Sequence, residues 1–209
     1  MQPGAAAGDE HRTFIETARR AQIVEAAIDT IAEVGYAQAS FARIAKRLGI
    51  SRGLISYHFA GKDDLIRQIV TEVVEAGRAY MLPRILAEST GRARLRAYIE
   101  SNLAFMGEHR NYMVAVIDIA RHGGVTSDGR RRVDGRELDV AVHLLEEQLA
   151  RFQAEGEFRG DFDPRVMAVT IRAVIDTVTY RLAHDPDLDL DNYAREIATI
   201  FDLATRAEK

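Results

Sequence analysis

The chain has no cysteine, no tryptophan, only four prolines among its 209 residues, and just three lysines. Without cysteine there is no disulfide, no thiolate metal site and no sulfur nucleophile, and the cytoplasm is the expected compartment. No run approaches the ~18 apolar residues that a membrane-spanning helix needs. The opening MQPGAAAGDE lacks a basic start and an apolar centre, so residues 1–12 read as a mobile tail rather than a secretory signal. Catalytic signatures are missing too. There is no Gly-x-Ser-x-Gly elbow, phosphate loop or dinucleotide fingerprint, the six histidines form no i,i+4 pair, and the Glu-x-x-His repeats of a di-iron bundle are absent. No catalytic residue, metal or cofactor is expected.

What is present is 47% hydrophobic residues in helical spacing, enough for a packed core, with little strand signal. The chain reads as all-α, with about nine helices. Its formal charge is −4, yet between Tyr36 and Lys62 five basic residues (Arg43, Lys46, Arg47, Arg52, Lys62) stand with no Asp or Glu. A local patch, not the overall balance, decides affinity for phosphate.

The same stretch, SFARIAKRLGISRGLISYHFAGKDDL, has helix-turn-helix spacing. Ile44, Ala45, Leu48, Ile50 and Ile55 form an apolar stripe on two short helices, and Gly49 sits where a tight turn falls. Ser40 and Ser51 stand at the two helix starts, where a hydroxyl caps free amides. Ala45 is small where the second helix must cross.

These residues carry a resemblance to the TetR family of bacterial transcriptional regulators. Gly49, Ile50, Ser51, Ile55, His58, Phe59, Lys62 and Leu65 stand where the amino-terminal signature of that family has its marks. One position departs: the frequent tyrosine falls on Ser56, and the ring appears at Tyr57. The resemblance implies DNA recognition by the second helix, with Arg52, Gly53, Leu54, Ser56 and Tyr57 on or near its exposed side. Arg52 suits a guanine contact, Gly53 a close approach and Leu54 a thymine methyl. Ser40, Arg43, Tyr57, His58 and Lys62 are assigned to phosphates, and Ser51 to the helix start. For His58 a partly buried structural role is the competing reading. Arg19 and Arg20, on the preceding helix, either touch the DNA backbone or are solvated.

Downstream, helices are expected at Asp63–Met81, closed by Pro83, then at Arg92–Met106, Arg110–His122, Glu137–Gln153, Pro164–Ala183 and Leu190–Ala204. The first helix is expected over Glu16–Val34, with Thr13 and Glu16 as a capping box. The domain layout follows: DNA binding over 13–62, effector binding and dimerisation over 63–209. Arg130, Arg131 and Arg132 fall in a Gly-rich loop and read as a solvated run rather than a second nucleic-acid patch.

By resemblance, the larger domain binds a small effector and pairs with a second copy through its last two helices. Met113, Ile117, Asp118, His143, Asp176 and Tyr180 are the candidate pocket residues, and their acids would suit a cationic lipophile. The alternatives are an ion pair of Asp118 with Arg121 and of Asp176 with Arg172. Val174, Val178, Leu182, Ile197, Ile200 and Phe201 are the candidate dimer face, or else face their own core. The implied protein is a homodimeric repressor that releases a palindromic operator when its effector binds. The competing class is a helical carrier or enzyme that does not bind DNA.

Overall fold

The structure is a computed structural model that describes residues 4–123, 136–185 and 187–207. Those residues form nine α-helices and no strand beyond an isolated bridge between Phe158 and Arg206. They are α1 (Gly4–Val34), α2 (Phe41–Leu48), α3 (Arg52–His58), α4 (Lys62–Leu86), α5 (Gly91–Glu108), α6 (Arg110–His122), α7 (Arg136–Ala154), α8 (Pro164–His184) and α9 (Leu190–Thr205). The triple-arginine run at 130–132 lies outside the described residues.

Two helices are longer than the sequence suggests. The first begins at Gly4, so backbone assigned to a tail is helical and Thr13 lies inside the helix instead of capping it. Ala5, Ala6 and Ala7 explain this, since alanine is the strongest helix former. Helix α4 runs through Pro83 to Leu86 rather than closing there. Proline forfeits its own amide bond, but its φ is helical, and Ala87 N–H still donates to the Pro83 carbonyl at 3.1 Å. The Arg84 guanidinium donates to the Tyr80 carbonyl at 2.5 Å and lies 3.6 Å over the Tyr80 ring, which ties down the same last turn.

The chain divides into two compact units, one of Met1–Glu72 with Val114–Arg132, the other of Val73–Met113 with Val133–Lys209. The division falls inside α4, not at its start. The first unit has its core in Ile23, Ile28, Ile31, Ile44, Ile55, Phe59 and Leu65, all fully buried. In the second, α5 packs on α9 and α7 on α8, around Ile99, Leu103, Leu149, Ile171 and Ile175. Gly91 lets the start of α5 approach α7, because a Cβ there would come within 2.5 Å of the Phe152 ring. Asp163 caps α8, accepting from Arg165 and Val166 amides at 2.8 and 3.1 Å, with Pro164 at the first position. No described helix is long and apolar enough to cross a membrane.

Candidate nucleic-acid interface

Three local devices set the recognition helix. The Ser40 hydroxyl accepts from the Arg43 amide at 3.3 Å and starts α2. Gly49, at φ 65°, ends it in the left-handed region that only glycine enters freely, and Ile50 N–H returns to the Ala45 carbonyl at 3.0 Å. The Ser51 hydroxyl accepts from the Leu54 amide at 3.2 Å and starts α3. Ile44, Ala45 and Ile55 are buried, so the second helix crosses the first on the side the sequence assigns to the core.

The far end of α3 is held from α1. The Arg20 guanidinium donates to the His58 carbonyl and lies 4.4 Å over the Phe59 ring. A cation there satisfies an orphan carbonyl at the negative end of the helix. The His58 side chain is half-buried, its ring edge-on to Tyr57 at 5.1 Å. Asp64 accepts from the Ala60 amide at 3.1 Å and orders the entry to α4.

The five basic residues of the patch fall into two groups. Arg47 bonds the Thr30 hydroxyl at 3.1 Å and pairs with Glu33, which neutralises it. The Lys62 ammonium donates to the Tyr36 carbonyl at 2.6 Å and sits 3.8 Å over the Tyr36 ring. Lys46 and Arg52 are exposed and make no ion pair with a described residue, and Arg43 reaches only the neutral amide of Gln38, at 3.3 Å. Three uncompensated cations therefore remain on the outer face.

Around them Ser40, Ser51, Gly53, Ser56 and Tyr57 are exposed, Tyr57 by 73%, and Leu54 is half-buried. Ser40, Arg52, Ser56 and Lys62 line one open hollow of about 630 Å³ between the start of α2 and α3. Gly53 has no internal reason to be glycine: an added Cβ would meet nothing closer than the Ser51 hydroxyl, at 3.8 Å.

Sequence reasoning missed a second anchor of this unit. The Asp118 carboxylate, on α6, accepts from the Tyr36 amide at 2.5 Å and meets His122 Nδ1 at 2.7 Å. The Tyr36 backbone is thus fixed at its amide by Asp118 and at its carbonyl by Lys62. An acid inside an apolar helix was the available signal, but its partner is 82 residues away in the chain.

The candidate pocket residues are divided between the two units. Asp118 accepts from the Tyr36 amide and meets His122, and Ile117 is half-buried in the same unit. In the other unit Met113 is buried, and His143 is exposed beside Glu146 and Glu147 at 3.7 and 3.3 Å. Asp176 takes the Arg172 guanidinium at 2.7 Å, and Tyr180 stacks on His184 at 4.7 Å with its surface half exposed. None of the six lines the apolar cavity of that unit, which is formed by the end of α4, the start of α5, and α7.

For the candidate dimer face, burial favours the alternative of the protomer's own core at four of the six positions. Val178, Leu182, Ile197 and Phe201 are buried in the protomer's own core, Val174 is half-buried, and only Ile200 is exposed, by 58%. The outward stripe of α8 is instead Val166, Val169, Thr170, Ala173, Thr177 and Tyr180, and that of α9 is Glu196, Thr199, Ile200 and Leu203. Both helices carry apolar residues on two sides, and the most apolar side faces inward.

A short helix capped by serine, crossed over a left-handed glycine and presenting unpaired arginine outward defines an all-helical protein of the helix-turn-helix class. Residues 23–69 match the model of bacterial regulatory proteins of the tetR family. Among curated relatives, the transcriptional regulator BetI 1 of Chromohalobacter salexigens is 40% identical over 85 residues, covering 40% of this chain and 42% of that protein. BetI of Stenotrophomonas maltophilia is 39% identical over 92 residues, 42% of this chain and 45% of the relative. Each match thus spans less than half of the relative. Solved structures share the fold over more of the chain. A transcriptional regulator from Saccharomonospora viridis in complex with choline superposes with a TM-score of 0.79 at 21% identity, covering 92% of this chain and 100% of that one. The regulator FadR from Bacillus subtilis in complex with stearoyl-CoA gives 0.73 at 24%, covering 86% and 95%.

Proposed function

We propose that this protein is a homodimeric transcriptional repressor whose recognition helix α3 reads a palindromic operator and whose carboxy-terminal helices bind a small effector that releases it. DNA binding is assigned to residues 13–62, effector binding and dimerisation to 63–209. The observation that carries the reading is the outer face of α3 and α2, where Arg43, Lys46 and Arg52 stand uncompensated beside exposed Ser56 and Tyr57. Such a helix enters the major groove, with Arg52 able to bond guanine through two nitrogens while Arg43, Lys46 and Ser40 meet phosphates. The relatives' description as transcriptional regulators supports it, and it makes catalysis an unneeded hypothesis.

Dimerisation is assigned to the exposed stripe of α8 and α9. Ala173, Thr170 and Thr177 are small enough for close helix approach, while Val166, Val169, Ile200 and Leu203 supply apolar area. An effector site among the carboxy-terminal helices is supported by similarly folded proteins that hold choline and stearoyl-CoA. Release requires the effector to bind two states of the dimer with different affinity.

Selection of bound sequences from random duplex DNA at near-physiological salt tests the reading. A palindromic winner preferred over scrambled DNA by ~10³ or more establishes a specific dimeric regulator. Weak, salt-sensitive binding without enrichment rejects it in favour of a carrier.

A further inference from the structure

In the second unit the end of α4, the first two turns of α5, α7 and Phe158 enclose a cavity of about 220 Å³. Its walls are Leu82, Leu86, Leu95, Leu144, Leu149 and Phe152 with their apolar neighbours, and among the described residues its polar side chains are Arg94, Tyr98 and Gln148. No carboxylate of a described residue is among its walls. Leu86 and Leu144, both at the cavity, are 59% and 57% exposed, so apolar surface is left in water where an occupant would cover it, at about 25 cal/mol per Å².

The charge of this cavity has one sign. Arg94 makes no ion pair with a described residue; its Nε–H donates to the Glu88 carbonyl at 2.8 Å, which fixes the plane of the guanidinium. Arg151, 4.4 Å from the Phe152 ring, lies outside the walls and is paired with Glu155 at 3.8 Å, and the Glu157 carboxylate accepts from the Gly91 amide at 2.5 Å. A cation placed here meets Arg94, the one charged side chain that a described residue contributes to the walls. A neutral lipid uses the walls and leaves Arg94 unpaired. An apolar tail ending in a carboxylate satisfies both, because a guanidinium held in one plane bonds a carboxylate through two parallel N–H groups.

We infer that this cavity is the effector site and that its ligand is an anionic amphiphile, with its tail among the leucines and its carboxylate on Arg94 and the Gln148 amide. The assignment rests on the ligand-responsive reading above, and replaces the cationic lipophile that the sequence suggests.

The test is calorimetric titration of the full chain, without DNA, using decanoate, decanol and decyltrimethylammonium as probes. Decanoate binds, decanol binds more weakly, and the ammonium compound does not. Arg94→Gln weakens decanoate by roughly 10–100-fold and leaves decanol unchanged, whereas Arg94→Lys restores part of the loss. Leu144→Trp fills the mouth from an exposed position, so it abolishes binding of both decanoate and decanol while the melting temperature stays the same. Equal affinity for the anionic and cationic probes, or decanoate binding indifferent to Leu144→Trp, overturns the site. Operator affinity measured beside these titrations separates the two readings. A decanoate site that leaves operator affinity unchanged stands as a site and removes the repressor mechanism, and specific operator binding without decanoate affinity removes the site alone.

Discussion

Arg52 and Gly53 are neighbours on the same exposed turn, but substitution acts on them in opposite ways. Arg52→Ala costs operator binding roughly 1–3 kcal/mol and relaxes preference at one base position, while Lys46→Ala weakens all sequences alike and lowers the salt slope by about 1. Titrations of operator and scrambled DNA at several salt concentrations distinguish the two, and equal losses on both DNAs for Arg52→Ala remove its base-reading role. At Gly53 the chain itself has room for a side chain, so Gly53→Ala stabilises the fold by about 0.4–1 kcal/mol through the unfolded state, yet weakens operator binding by keeping the backbone off the groove. A gain in both melting temperature and affinity contradicts that assignment. The remaining charges were less legible in sequence. Serine caps and the turn glycine act within four residues of themselves and can be read locally. Whether a cation is spent inside the protein depends on distant partners: Arg47 with Glu33 is 14 residues apart, Lys62 with Tyr36 26, Arg20 with His58 38. Lys62→Ala is accordingly expected to cost about 1–2 kcal/mol of stability, with only a small change in salt slope, as urea unfolding and the same titrations measure.

At the scale of elements, the sequence placed nine helices, and α6 fell on Arg110–His122 as expected. It failed where a signal is true on average but overridden locally. Pro83 stops a helix when the next turn has nothing else to hold it, and here Arg84 and Ala87 hold it. Invisible in sequence was the clamp between α5 and α9, where Arg92 bonds Asp202 through two nitrogens, both at 2.7 Å, across 110 residues, with Arg206 adding a third contact at 3.3 Å. The bond from Arg92 holds the Asp202 carboxyl below its ordinary pKa of 3.8, with Arg206 adding to the effect and burial opposing it. A carboxyl whose folded pKa is depressed contributes stability that is present above its unfolded value and lost as pH falls through the folded one. The clamp is therefore at full strength at neutral pH and fades below about pH 4. Asp202→Asn lowers stability at pH 7 and narrows its difference from the unsubstituted protein as acid is added; urea unfolding at pH 7 and at pH 3 reads this, and a constant difference removes the clamp from the pH response.

At the scale of the whole molecule, the proposed dimer depends on which side of α8 and α9 would face a second copy. Periodicity marks an apolar stripe without saying whether it meets the protomer's own core or a partner, and on these helices there are two stripes. The more apolar one, with Val178, Leu182, Ile197 and Phe201, is buried within the protomer, so truncation there damages folding: Leu182→Ala costs roughly 2–5 kcal/mol. The outer one mixes Ala and Thr with Val169, Ile200 and Leu203, the last 59% exposed. A carboxylate on this stripe is desolvated between two copies but lies in water on a single one. Leu203→Glu is expected to leave helix content intact and shift sedimentation from dimer to monomer. Each recognition helix then binds its half-site alone, without the effective concentration that linkage to the other provides, and operator affinity falls by roughly 10²–10⁴ while affinity for an isolated half-site is unchanged. If the Leu203→Glu protein remains dimeric with full operator affinity, the outer stripe is solvent-facing surface and the two copies meet elsewhere.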